Sequence, residues 1–200
     1  MAAWSLLDAF GIFVFALSGG LAAARRRMDP FGFLVLSFLP AVGGGTLRDL
    51  ILDRTVFWID DRLPLLLVVL AATITYFFSA TVARRERLLA WCDALGLSVF
   101  AVLGARWGLL VTDAPTIAVM MGVMTAVAGG LLRDVVCNEL PLILHREIYA
   151  TAAVAGALVY VLGIGAGLDP DLCLAVGALT AFFLRAAGIL RGWSLPAARG

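Results

Sequence analysis

Long apolar runs separated by brief polar punctuation dominate the chain. A helix needs about 20 mostly apolar residues to cross a hydrocarbon core. Seven runs approach that length: Trp4–Ala24, Pro30–Leu52, Leu63–Ala83, Leu88–Val111, Pro115–Cys137, Ile148–Gly167 and Leu172–Leu190. The third carries no charge from Leu63 to Ala83. The seventh contains Arg185, whose long side chain is expected to snorkel to the nearer interface. The connections are short and no linker or low-complexity stretch divides the chain. The pattern therefore predicts one all-α integral membrane domain over residues 1–200, with seven transmembrane helices.

The order of charges orients these spans. Arg25, Arg26 and Arg27 follow the first apolar run, whereas a cleaved signal peptide carries its positive charge before it. Basic residues stay cytoplasmic. The side of that triplet also receives Arg84, Arg85, Arg87, Arg146, Arg191 and Arg199, so it holds nine arginines against two, Arg54 and Arg62, on the other. The expected topology is N-terminus outside and C-terminus cytoplasmic. The basic loops are expected to attract anionic lipid at the cytoplasmic face.

The chain also repeats itself. An offset of 85 residues carries Gly44-Gly45-Thr46-Leu47-Arg48-Asp49 onto Gly129-Gly130-Leu131-Leu132-Arg133-Asp134. The same offset maps Asp8 to Asp93, Gly11 to Gly96, Phe15 to Phe100, Gly19 to Gly104 and Pro30 to Pro115. The repeats cover about 4–83 and 88–167, and an extra helix at about 172–190 stands outside them as a packing element. Three spans per unit reverse the second unit, giving two inverted three-helix repeats, a design shared by transport proteins.

Glycines and charges mark the same places in both repeats. Pro40 and Gly43, Gly44 and Gly45 in the second span, and Ala128, Gly129 and Gly130 in the fifth, predict kinks or short unwound stretches. Backbone freed in this way must be covered by protein or line a watery cavity. Asp8, Arg48 and Asp49 share one depth, and Asp93, Arg133 and Asp134 share the other. Buried charges need partners. Neighbouring residues on a helix point apart, so Arg48 is expected to pair with Asp8 and Arg133 with Asp93, directly or through one water, rather than with Asp49 and Asp134. Ser37, Thr46 and Thr125 add oxygens near the predicted breaks.

Composition narrows the chemistry. Hydrophobic residues make up 62% of the chain and charged residues 14%, against about 45–50% and about 25% in soluble domains. A net charge of +1 leaves no basic field for nucleic acid. All 15 basic residues are arginine, and without lysine neither retinal nor pyridoxal phosphate can form a Schiff base. Cys92, Cys137 and Cys173 are scattered apolar filler. His145 lacks ligand-spaced neighbours, so no metal or other cofactor is expected. The charged groups form no nucleophile–base–orienter set, which argues against an enzyme.

GGGTLRDLILDRTVFWI from Gly43 to Ile59, with AGGLLRD from Ala128 to Asp134, resembles the trimeric intracellular cation (TRIC) channels, especially prokaryotic members, and the related bacterial glycine-transporter-like membrane domain. The resemblance runs from about Trp4 to Gly167. It implies a homotrimer with one hourglass pore per protomer, lined by the first, second, fourth and fifth helices and kinked at the glycines. It also implies passive conduction of potassium across the inner membrane of a prokaryote. The lysine-containing motif of the animal channels is missing, so their gating does not transfer. Inverted repeats also suit a secondary transporter of a small solute such as glycine, which is the alternative reading.

Overall fold

The computed structural model describes residues 2–82, 86–145 and 148–194. Arg84, Arg85, Arg146 and Arg199, used above for orientation, lie outside the described residues. The described residues form α1 (Ala2–Arg25), α2 (Pro30–Ile51), α3 (Phe57–Asp60), α4 (Leu63–Phe77), α5 (Ser79–Val82), α6 (Glu86–Thr112), α7 (Pro115–Val136), α8 (Ala150–Gly165) and α9 (Pro170–Arg191). One 3-10 turn occupies Leu142–Leu144.

Local chemistry sets the helix starts. Proline occupies the first turn of α2, α4, α7 and α9, where its missing N–H costs nothing. Asp29 caps α2 by accepting from the Gly32 amide, and Asp169 caps α9 through the Asp171 and Leu172 amides. After α2 and α7 the chain turns through Asp53 and Asn138, equivalent residues with φ of 51° and 53°.

Five helices, α1, α2, α6, α7 and α9, are long and apolar enough to cross a membrane. The expected third and sixth spans are shorter, at 15 residues in α4 and 16 in α8. α4 ends at Phe77, inside the run expected to continue to Ala83. One turn earlier, the Thr75 hydroxyl donates to the carbonyls of Ala71 and Ala72, and such back-bonding competes with the helical ladder.

α1, α2, α6 and α7 form the centre, with α4 against α1 and α2, and with α8 and α9 against α6. Leu66, Phe77, Leu162, Phe183 and Leu190 are more than 60% exposed. Such an apolar exterior suits lipid rather than water.

No unwound stretch interrupts either helix: α2 is continuous through Gly43, Gly44 and Gly45, and α7 through Ala128, Gly129 and Gly130. The glycines instead let backbones touch. A Cβ on Gly44 would lie 2.0 Å from the Thr125 carbonyl oxygen, and one on Gly129 would lie 2.4 Å from that of Pro40. These contacts are equivalent, because the repeat offset carries Pro40 to Thr125. Gly19 against the Leu36 carbonyl and Gly104 against that of Met121 form a second matched set. Close contact between helices offsets the propensity cost of each glycine, about 1 kcal/mol.

Candidate functional site: two arginine–aspartate clusters

Each end of the central four helices buries an Arg-Asp pair built the same way. On α7, Arg133 donates through Nε to Asp134 Oδ1 at 2.9 Å, with Nη2 2.8 Å from the same oxygen. On α2, Arg48 does the same to Asp49, at 2.8 Å from both nitrogens. The second carboxylate oxygen fastens the following loop: Asp134 Oδ2 accepts from the Leu142 amide at 3.0 Å, and Asp49 Oδ2 from the Phe57 amide at 3.1 Å. Adjacent residues therefore do pair, contrary to expectation. The long guanidinium folds back alongside a carboxylate that the loop amide holds in place.

Beyond this shared frame the two ends differ. Arg133 Nη1 reaches across to Asp93 Oδ1 on α6 at 2.7 Å and to Ser18 Oγ on α1 at 3.0 Å. Arg133 is 1% exposed and Asp93 fully buried. The Tyr149 hydroxyl shares this space; a Cβ on Gly130 would lie 2.8 Å from it and 3.4 Å from Asp93 Oδ1. Arg185 does not snorkel outward. It is buried, its guanidinium 5.2 Å from the centroid of the Tyr149 ring, and it donates to the Ile148 carbonyl. α9, outside the duplication, thus braces the cluster at Arg133.

At the other end, no direct ion pair joins Arg48 to Asp8 among the described residues, unlike Arg133 and Asp93. Asp8 is half-buried. Arg48 lies 5.8 Å from the centroid of Phe57 and 6.0 Å from that of Trp107. Arg54 stacks on Trp107 at 3.4 Å and approaches Asp49 Oδ1 at 3.4 Å. Partial burial lowers the Arg54 pKa from its ordinary value, and Asp49 opposes that shift. The physical difference lies in the partners. The repeat places Leu103 where Ser18 would have its counterpart, and Pro64 where Tyr149 would. Neither can hydrogen-bond through its side chain.

Ile12, Phe15, Val42, Leu97, Phe100 and Val127 fill the space between the clusters, each at most 4% exposed. Along α1, Ile12 and Phe15 lie between Asp8 and Ser18. Phe15 and Phe100, equivalent residues, stack with centroids 5.3 Å apart. Of the proposed oxygens, Thr125 donates to the Met121 carbonyl and is enclosed by α2 and α6. Thr46 donates to the Val42 carbonyl and accepts from Trp58 Nε1. Ser37 Oγ is buried without a hydrogen-bond partner among the described residues. Sequence reasoning missed Ser18, Tyr149 and Trp107. Ser18 was findable, as a hydroxyl in an apolar run level with Arg133.

This is a polytopic membrane protein whose duplicated Arg-Asp clusters face each other across an apolar seam. A family model described as Glycine transporter matches residues 5–80 and again 90–164. The UPF0126 membrane protein of Vibrio cholerae is 40% identical, over 96% of this chain and 81% of its own length. The inner membrane protein YadS of Escherichia coli is 45% identical, over 77% and 75%. Among solved structures, the TRIC trimeric intracellular cation channel orthologue from Rhodobacter sphaeroides superposes with a TM-score of 0.93 at 45% identity, covering 96% of this chain and 100% of that one. A prokaryotic TRIC channel crystallised in 0.5 M KCl gives 0.88 at 30% identity, covering 97% and 99%. The chain belongs to this TRIC channel family, whose relatives are membrane proteins and channels rather than enzymes.

Proposed function

We propose that the protein is a homotrimeric, potassium-permeable channel, with one pore per protomer between α1, α2, α6 and α7. The observation that carries this reading is the pair of matched charged clusters at the two ends of those helices, in a chain similar to solved cation channels. In this reading α4 and α8 cross the membrane with the five longer helices, and the repeats are inverted. The reciprocal contacts of Gly44 with Thr125 and of Gly129 with Pro40 support a two-fold relation in the membrane plane.

α2 and α7 are continuous, so most of their carbonyls stay in the helical ladder; the Leu36 carbonyl, which Pro40 cannot pair, packs against Gly19. The oxygens offered to a permeant ion come from side chains, with Asp8 at one mouth and the unpartnered Ser37 hydroxyl deeper in α2. The Phe15–Phe100 seam acts as a hydrophobic constriction that gates by dewetting. The packed arrangement is the closed one, and opening requires those rings to separate.

Potassium-loaded proteoliposomes diluted into an impermeant cation should develop an inside-negative potential, read with a voltage-sensitive dye. Asp8→Asn should slow this flux severalfold at low salt while leaving thermal stability nearly unchanged. Equal flux in the variant would remove Asp8 from the path, and failure of the wild type to develop the potential would contradict potassium conduction.

The orientation follows the arginines, with the Arg25–Arg27 loop cytoplasmic and open to anionic lipid. Arg26→Cys should resist membrane-impermeant thiol reagents in intact cells and react after lysis. Labelling of intact cells would reverse the topology.

A further inference from the structure

A half-open cavity of about 430 Å³ lies away from the central seam, at the end of the bundle that carries the α1 N-terminus. Trp4, Arg106, Tyr160, Asp169 and Asp171 line its polar part. The Arg106 guanidinium sits 4.2 Å from the centroid of the Trp4 ring and 5.2 Å from that of Trp107. Among the described residues Arg106 has no ion pair, although two carboxylates line the same cavity. One of them, Asp169, accepts from the first amides of α9. The other, Asp171, is exposed and has no ion pair among the described residues. A cation and an anion thus face one space without closing on each other.

We infer that this cavity binds a zwitterion, its anionic group on Arg106 and its ammonium on Asp171. The stacked guanidinium keeps its N–H edge for a phosphate or carboxylate, both of which suit its fork of donors. A primary ammonium can donate charge-assisted hydrogen bonds to Asp171, which a quaternary one cannot. The source is the headgroup of a phosphatidylethanolamine. Leu109, Leu110 and Ile164 continue the wall of the cavity, and Leu110 is 62% exposed on the apolar exterior, where acyl chains lie. Tryptophan and tyrosine belong at the level of lipid headgroups. A free amino acid offers the same pair of charges without the chains.

The test uses the purified full-length protein in detergent, with lipid retention read by native mass spectrometry. Phosphatidylethanolamine should be retained a fewfold more than phosphatidylglycerol or phosphatidylcholine, because a partly exposed ion pair changes affinity by up to about fivefold. Arg106→Gln should weaken retention of phosphatidylethanolamine and phosphatidylglycerol alike. Asp171→Asn should bring the two to parity, and unchanged thermal unfolding would show that each variant folds. Equal retention of the lipids by the wild type, or an undiminished preference in both variants, would overturn the proposal. Stabilisation by millimolar glycine that Arg106→Gln abolishes, without selective lipid retention, would overturn the lipid source and keep the zwitterion. None of these readouts depends on ion conduction.

Discussion

Arg133→Gln is expected to cost about 3–5 kcal/mol of stability, the usual penalty for breaking a buried ion pair by removing one member. The loss strands Asp93 and Asp134 together, because Arg133 is within ion-pair distance of both. Arg48→Gln should cost less than half as much. Arg54 remains 3.4 Å from Asp49 and can take over part of its neutralisation. Double-mutant cycles on thermal unfolding in detergent check the difference. Asp93→Asn with Arg133→Gln should couple by at least about 1 kcal/mol, whereas Asp8→Asn with Arg48→Gln should add within about 0.5 kcal/mol. Coupling of equal size at both ends would mean that Arg48 and Asp8 do pair.

Gly44→Leu and Gly129→Leu should each destabilise the protein by about 3 kcal/mol or more, at or beyond the upper end of ordinary overpacking. The obstacle at both positions is a backbone carbonyl, at 2.0 Å and 2.4 Å from the first added carbon. A side chain could rotate away, but a carbonyl inside a continuous helix cannot. α2 and α7 must therefore separate along their crossing. Gly43→Ala provides the milder comparison, since it meets the movable Leu132 Cδ1 at 2.8 Å. Gly165→Ala, with nothing within 4 Å, should be close to neutral. Unfolding temperatures and recovery of the folded protein check this ranking, and tolerance of leucine at Gly44 would refute the close crossing.

The same glycines show where the sequence misleads. Their number beside Pro40 suggested breaks, because helix propensity counts only what glycine costs within its own helix. The compensation comes from the partner helix and appears only when α2 and α7 are packed. Matching depth correctly paired Arg133 with Asp93, because depth follows from position along a helix. It does not bring Arg48 into direct ion-pair contact with Asp8, because depth does not say which side chains close around a guanidinium. Ser18 and Tyr149 do so at one end, and the equivalent residues Leu103 and Pro64 provide no such contacts at the other. The amides of Phe57 and Leu142, which hold Asp49 and Asp134, come from loops whose path back to the helix has no periodic signature. The offset of 85 residues was legible throughout, and the family model matches the chain twice, over residues 5–80 and 90–164.

Conduction is tested most directly by recording the purified protein in a planar bilayer under a potassium gradient. Discrete unitary current steps that reverse near the potassium equilibrium potential are expected. Phe15→Ala with Phe100→Ala, which thins the apolar seam, should lengthen the open intervals. A bilayer that stays silent, while the same preparation in vesicles takes up glycine saturably, would contradict the channel and establish a carrier.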